Sequence, residues 1–236
     1  GTGDFTQGSL ASTCSRNVDA GFSIVSYTGT GSTTTVGHGL SSAPEMMIIR
    51  SRTVLDNWLV YYNAGGAMDA TDGVYMDSTG AKLDSATFFN DTAASSTLFT
   101  VSSHSTCNQS TKPYIAYCFH SVDGYSKVGS YTGNTSTDGT FVYLGFRPAF
   151  LMIKGSSDGG HWAISNNKST PYNVINKAII VNDSAAEYTD PAFACLIDYT
   201  SNGFKWRNSD DNNNDSSRTY IYIAFAETPF KYSNAR

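Results

Sequence analysis

Charge is scarce in this sequence. Asp, Glu, Lys and Arg make up 15% of its 236 residues, and glutamate occurs only at Glu45, Glu187 and Glu227. With strong helix formers this sparse, helices of ordinary length are not expected. The balance of 15 basic and 20 acidic residues gives a net charge of −5. Gripping nucleic acid needs a basic stripe that neutralises phosphates, and the sequence has none, so no nucleic-acid partner is expected. Apolar runs fall short of the roughly eighteen residues of a membrane-spanning helix. The four cysteines, Cys14, Cys107, Cys118 and Cys195, lack the C-x-x-C spacing of a zinc site.

Catalytic signatures are missing too. A nucleophilic triad would need one of the four histidines, His38, His104, His120 and His161, and none recurs at the matching position in the other half of the sequence. No glycine-rich loop is followed by the lysine and helix that cradle phosphates. The carboxylates sit mostly in turns, where Asp closes the backbone, rather than as the facing pair a glycosidase uses. An enzyme is therefore not expected.

What is present is turn and strand chemistry. Twenty-one Gly, 15 Tyr and 13 Phe accompany abundant Ser, Thr, Asn and Asp, the profile of an all-β protein with many turns. The sequence also repeats itself. Gly29 matches Gly133, Pro44 matches Pro148 and Trp58 matches Trp162, each at an offset of 104. Phe99 matches Phe204 at 105, and Tyr114 and Phe119 match Tyr220 and Phe225 at 106. An offset that drifts so little preserves the order of elements and confines length changes to loops.

Each copy reads as a series of strands. "SIVSYTG" and "SKVGSYTG" open them, followed by "TVGHGL" and "TFVYLGF", then by "EMMIIR" and "AFLMIK". "NWLVYY" and "HWAISN" come next, and "YIAYCF" and "YIYIAFA" close the copies. The fold class expected is all-β, with two tandem antiparallel β-sandwich (jelly-roll-like) repeats. Residues 1–20 form an N-terminal lead-in segment, 21–122 the first repeat and 123–236 the second. One helical turn is possible in "SAAEY", residues 184–188. Cys118, matched by Ala224, reads as a small buried filler, while Cys14 and Cys107 are candidates for a disulfide. The tryptophans read as core.

One stretch stands apart: "NSDDNNNDSS", residues 208–217. Asp210, Asp211, Asn212, Asn214 and Asp215 are hard oxygen donors, so this loop is the candidate binding site. It lacks the Gly and terminal Glu of an EF-hand. A solvated hairpin loop is the first reading, calcium the alternative, and no metal is assigned. N-x-Ser/Thr sequons occur at Asn90, Asn108, Asn134, Asn167, Asn182 and Asn214.

The run "SYTGNTSTDGTFVYLGFRPAFLMIK", with "HWAIS", "YNVINKAIIVND", "SNGFKW" and "YIYIAFAETPFKYSNAR", resembles a repeat family of tail-fibre and other virion proteins of marine phages. The resemblance spans Gly21 to Arg236 and is looser in the first copy. It implies the C-terminal part of a long structural protein of the virion, in keeping with a chain that begins at Gly1. It brings no catalytic motif and no cofactor. The implied function is a fibre or tail module that binds a bacterial surface glycan or protein receptor without catalysis. A purely structural virion component, such as a capsid decoration or fibre shaft, is the alternative. "EMMIIR" and "AFLMIK" are apolar on both faces, and soluble monomers seldom leave such faces in water. Together with the resemblance, this points to a homo-oligomer, a trimer, alongside other virion proteins.

Overall fold

The computed structural model describes residues 2–5, 7–189 and 196–228. The chain divides into two compact units. Unit 1 is Gly1–Met76 with Lys82–Ser121, and unit 2 is Val122–Arg236 with the short stretch Asp77–Ala81.

The strands of unit 1 are β1 (Thr2–Phe5), β2 (Ser12–Asn17), β3 (Phe22–Thr28), β4 (Thr34–Gly37) and β5 (Met46–Ser51). They continue with β6 (Leu59–Tyr62), β7 (Asp72–Tyr75), β8 (Leu83–Asp84), β9 (Leu98–Val101) and β10 (Pro113–Phe119). One sheet runs β1-β2-β3-β10-β5-β6-β7-β8, and a second consists of β4 and β9. In unit 2 the strands are β11 (Ser126–Thr132), β12 (Phe141–Tyr143), β13 (Pro148–Gly155) and β14 (Ala163–Asn166). They end with β15 (Ile179–Ile180), β16 (Ile197–Thr200), β17 (Gly203–Trp206) and β18 (Thr219–Ala226). Their sheets run β11-β18-β13-β14-β15 and β12-β17-β16. All the strand pairings are antiparallel.

The repeat is thus written into topology. The order β3-β10-β5-β6 in unit 1 is the order β11-β18-β13-β14 in unit 2, and the pair β4-β9 corresponds to β12-β17. Each unit is an all-β sandwich with a core between its sheets. In unit 1, Val36, Phe99 and Val101 meet Val25, Tyr27, Ile49, Tyr61 and Tyr114. In unit 2, Val142, Phe204 and Trp206 meet Tyr131, Leu151, Ile153, Tyr220 and Tyr222.

Among the described residues helix is limited to two single turns, α1 (Ala86–Phe89) and α2 (Ser105–Asn108). "SAAEY" is not helical; Ala185 N donates to Asp183 Oδ1, and Tyr188 exchanges backbone hydrogen bonds with Ala178 as an isolated bridge. The first twenty residues supply β1 and β2, and β2 pairs with β3 from Ser12↔Tyr27 to Asn17↔Phe22. Trp162 and Trp206 are core side chains, whereas Trp58 is half-buried with the Arg50 guanidinium 5.5 Å from its ring. The apolar runs that suggested an oligomer are largely covered in the single chain: Met46, Met47, Leu151 and Met152 are all buried.

Cys14, Cys107 and Cys118 are buried free thiols, so Cys14 and Cys107 form no disulfide; Cys195 lies outside the described residues. Burial pushes the Cys107 and Cys118 thiols up from 9.0 to about 12. Between those values the unfolded chain gives up protons that the native chain keeps, so stability is lost as pH rises through that window. Each thiol contributes a slope of about 1.4 kcal/mol per pH unit. Lys154, buried and donating to Thr79 O at 3.1 Å and Gly160 O at 2.6 Å, acts oppositely: burial lowers its amine from 10.5 to about 8. From pH 8 to 10.5 the unfolded chain holds a proton that native Lys154 has released, so stability rises with pH across that range. Urea unfolding at successive pH values should show stability rising from pH 8 to 9 and falling above it. Cys118→Ala, which installs the residue of the second copy, should flatten the fall by about 1.4 kcal/mol per pH unit.

Candidate functional site

The loop at 208–217 has a twin in unit 1, residues 102–111, and both are built around a buried asparagine. Asn214 is fully buried and its Nδ2 donates to Asn134 Oδ1 at 3.0 Å, Ser136 O at 2.9 Å and Asn208 O at 2.7 Å. Its Oδ1 accepts from the backbone N–H of Asn134 at 3.1 Å. Asn108 repeats the pattern: Nδ2 donates to Ser32 O and Ser102 O, both at 2.7 Å, and Oδ1 accepts from Thr30 N at 2.8 Å. A side-chain amide has two donors and one carbonyl, and here it pins together three backbone segments that have no ladder partner.

The surrounding residues repeat as well. Tyr131 Oη donates to Asn213 O and Tyr27 Oη to Cys107 O, each at 2.7 Å. Tyr220 Oη accepts from Asp215 N at 3.0 Å and donates to Asp211 O at 2.6 Å; Tyr114 does the same with Gln109 N and Ser105 O. The tyrosines stack in pairs, Tyr131 on Tyr220 at 5.0 Å and Tyr27 on Tyr114 at 5.4 Å. A Cβ on Gly133 would lie 2.3 Å from Asn214 C, and one on Gly29 would lie 2.3 Å from Gln109 O. The phrase "SYTG" is therefore written twice for a physical reason. Its tyrosine and glycine hold the asparagine plug, and only glycine lets the two backbones approach so closely.

This corrects the expectation of an exposed loop. Asn214 is buried, Asp210, Asn212 and Asp215 are half-buried, and only Asp211 of the five candidates is exposed. Asp210 Oδ1 accepts from Asn212 N and Nδ2, and Asp215 Oδ1 accepts from Ser217 N and Oγ. Asp211 pairs with Arg218 at 3.4 Å. Each carboxylate is engaged in its own turn or ion pair, so the donors do not converge as calcium coordination requires. Among the described residues no group of three or more His, Cys, Asp or Glu is placed to hold a metal ion.

A different surface carries exposed aromatic chemistry. On the outer face of the β12-β17-β16 sheet, Phe141 is 45% and Tyr143 60% exposed, while Val142 between them points into the core. Phe141 lies opposite Lys205, which lies opposite Asp198. Gly203 is buried beside the Phe141 ring: a Cβ there would lie 2.1 Å from Val142 O and 3.3 Å from the ring edge. Lys205 bonds Asp138 at 2.7 Å, and Arg207 reaches Asp138 at 3.6 Å and Asp198 at 2.6 Å. The Lys205 hydrogen bond and charge hold the Asp138 carboxyl below the usual range. Lys127 stands 5.6 Å from the Tyr143 ring and donates to Tyr143 O at 3.1 Å. Two flat rings beside a fixed set of donors and acceptors suit a ligand with apolar faces and polar edges. The signal in the sequence is a divergence between copies: strand register places Thr35 and Gly37 where unit 2 has Phe141 and Tyr143.

The domain of unknown function DUF7483 matches residues 1–229. The chain belongs to this family. None of the curated proteins compared with this DUF7483 chain matches it. Among solved structures, it is similar to the major capsid protein P2 from bacteriophage PM2 at 9% identity and a TM-score of 0.24, covering 89% of this chain and 100% of that one. A likeness of that extent carries no argument about DUF7483.

Proposed function

We propose that this chain is a non-catalytic module of a phage particle that binds a bacterial surface glycan through the outer face of the β12-β17-β16 sheet. The observation that carries this reading is the pair of exposed rings, Phe141 and Tyr143, on a sheet whose other face is core. Rings fixed on a strand lose little freedom on binding, and rigid aromatic platforms are common recognition surfaces. The sequence resemblance to virion fibre proteins supplies the phage setting, and with it the location on an extracellular particle among other virion proteins. The glycan class follows from chemistry: a sugar ring stacks its C–H face on an aromatic ring and offers hydroxyls to Asp138, Lys205 and Asp198.

An array of bacterial surface polysaccharides tests the proposal. Saturable retention on a subset of them, with no new reducing ends after prolonged incubation, is the expected outcome. Release of reducing ends would show a glycan-degrading activity and overturn the non-catalytic reading.

A further inference from the structure

The two units differ at one backbone edge, and unit 1 shows what that edge accepts. In unit 1 the free side of β4 is sealed by the lead-in segment. Leu10 forms a parallel bridge to Val36, its N–H donates to Thr35 O at 3.0 Å, and Thr35 N donates to Ser9 Oγ at 3.0 Å. Leu10 also packs against the unit 1 core. Gly8 takes a positive φ of 90°, and a Cβ there would lie 2.6 Å from Thr35 O.

In unit 2 the corresponding strand is β12. Val142 faces Phe204 as Val36 faces Phe99. Trp206 N donates to Thr140 O and Leu144 N to Asn202 O. That alternation points the N–H and C=O of Phe141 and Tyr143 away from β17. β12 is the last strand of its sheet, and among the described residues no segment lies along it as Gly8–Leu10 lies along β4. The chain cannot supply one from just ahead of β11, because the residues at the matching distance are already in β10. Lys127 covers Tyr143 O, a charged guard of the kind that keeps open edges from pairing indiscriminately.

We propose that the β12 edge of unit 2 is a docking site for an extended segment of another polypeptide, paired in parallel and carrying glycine two residues before an apolar side chain. The apolar residue lies beside Val142 and the glycine against Phe141 O, as Leu10 and Gly8 lie against Val36 and Thr35 O. The donor is a different protein, since a second copy of this chain has its own segment seated on its own β4. Strand addition of this type takes affinity from main-chain hydrogen bonds and selectivity from side-chain positions.

The probe is the peptide TQGSLAST, residues 6–13, labelled for fluorescence anisotropy and titrated with the full chain. Saturable binding is expected, weakened at least tenfold by a Gly8→Val change in the peptide, which leaves the protein untouched. A photoreactive leucine at peptide position 10 should cross-link within residues 140–144. Lack of saturable binding, indifference to Gly8→Val, or cross-links to residues 34–37 would each overturn the proposal. So would a stable dimer of the chain formed at this edge, which would make the second copy the occupant.

Discussion

Asn214→Asp should be the most damaging conservative substitution in unit 2. The change replaces an NH2 that donates to three oxygens with an oxygen facing the same three, Asn134 Oδ1, Ser136 O and Asn208 O, all within 3.0 Å. Ionised, the new carboxylate is buried among acceptors; protonated, it satisfies one of them. Leaving buried polar groups unpaired costs about 1–3 kcal/mol each, and more when a charge is involved. A loss of roughly 4 kcal/mol is expected against a total stability on the order of 5–15 kcal/mol. Asn108→Asp should do the same in unit 1, because its amide meets Ser32 O and Ser102 O at 2.7 Å. Urea unfolding of the two variants provides the check. If either loses less than about 1 kcal/mol, the plug does not hold its loops as described.

This device shows how far the sequence could be read. The offset of 104 to 106 disclosed the duplication because its markers are large or conformationally special residues: Gly29 and Gly133, Trp58 and Trp162, Tyr114 and Tyr220. The sandwich class followed from strand-length runs between turn residues. The plug did not emerge, since Asn108 and Asn214 share an offset of 106 but sit in "TCNQS" and "NNNDS", whose polar neighbours imply solvent. Whether an asparagine faces water or three carbonyls is decided by loops distant in sequence, and local composition does not carry that information.

The aromatic face was hidden for the opposite reason. In "TFVYLGF" the residues on both sides of β12 are large and apolar, so alternation does not mark which side is wet. "YIYIAFA" poses the same problem: Tyr220, Tyr222 and Ala224 join the core cluster, yet Ile221 and Ile223 are buried too. In the same way Met46 and Met152, in runs that are apolar on both faces, are buried within the single chain.

Loss of the two rings should abolish useful glycan binding. Phe141→Ala with Tyr143→Ala removes both flat surfaces, while Val142 and its packing against Phe204 stay in place. Exposed positions of this kind tolerate truncation, so stability should change by less than about 0.5 kcal/mol per site. An aromatic anchor at the centre of a binding surface contributes on the order of 2 kcal/mol. Together the two rings then amount to roughly 4 kcal/mol, or nearly a thousandfold in affinity. Asp211→Ala, in the 208–217 loop, should leave binding unchanged. The decisive measurement is a set of binding isotherms on a polysaccharide retained by the unaltered chain, with both variants measured side by side. Weakening of nearly a thousandfold is expected for the ring variant and no change for Asp211→Ala; undiminished binding without the rings, or its loss with Asp211→Ala, would overturn the assignment of the site.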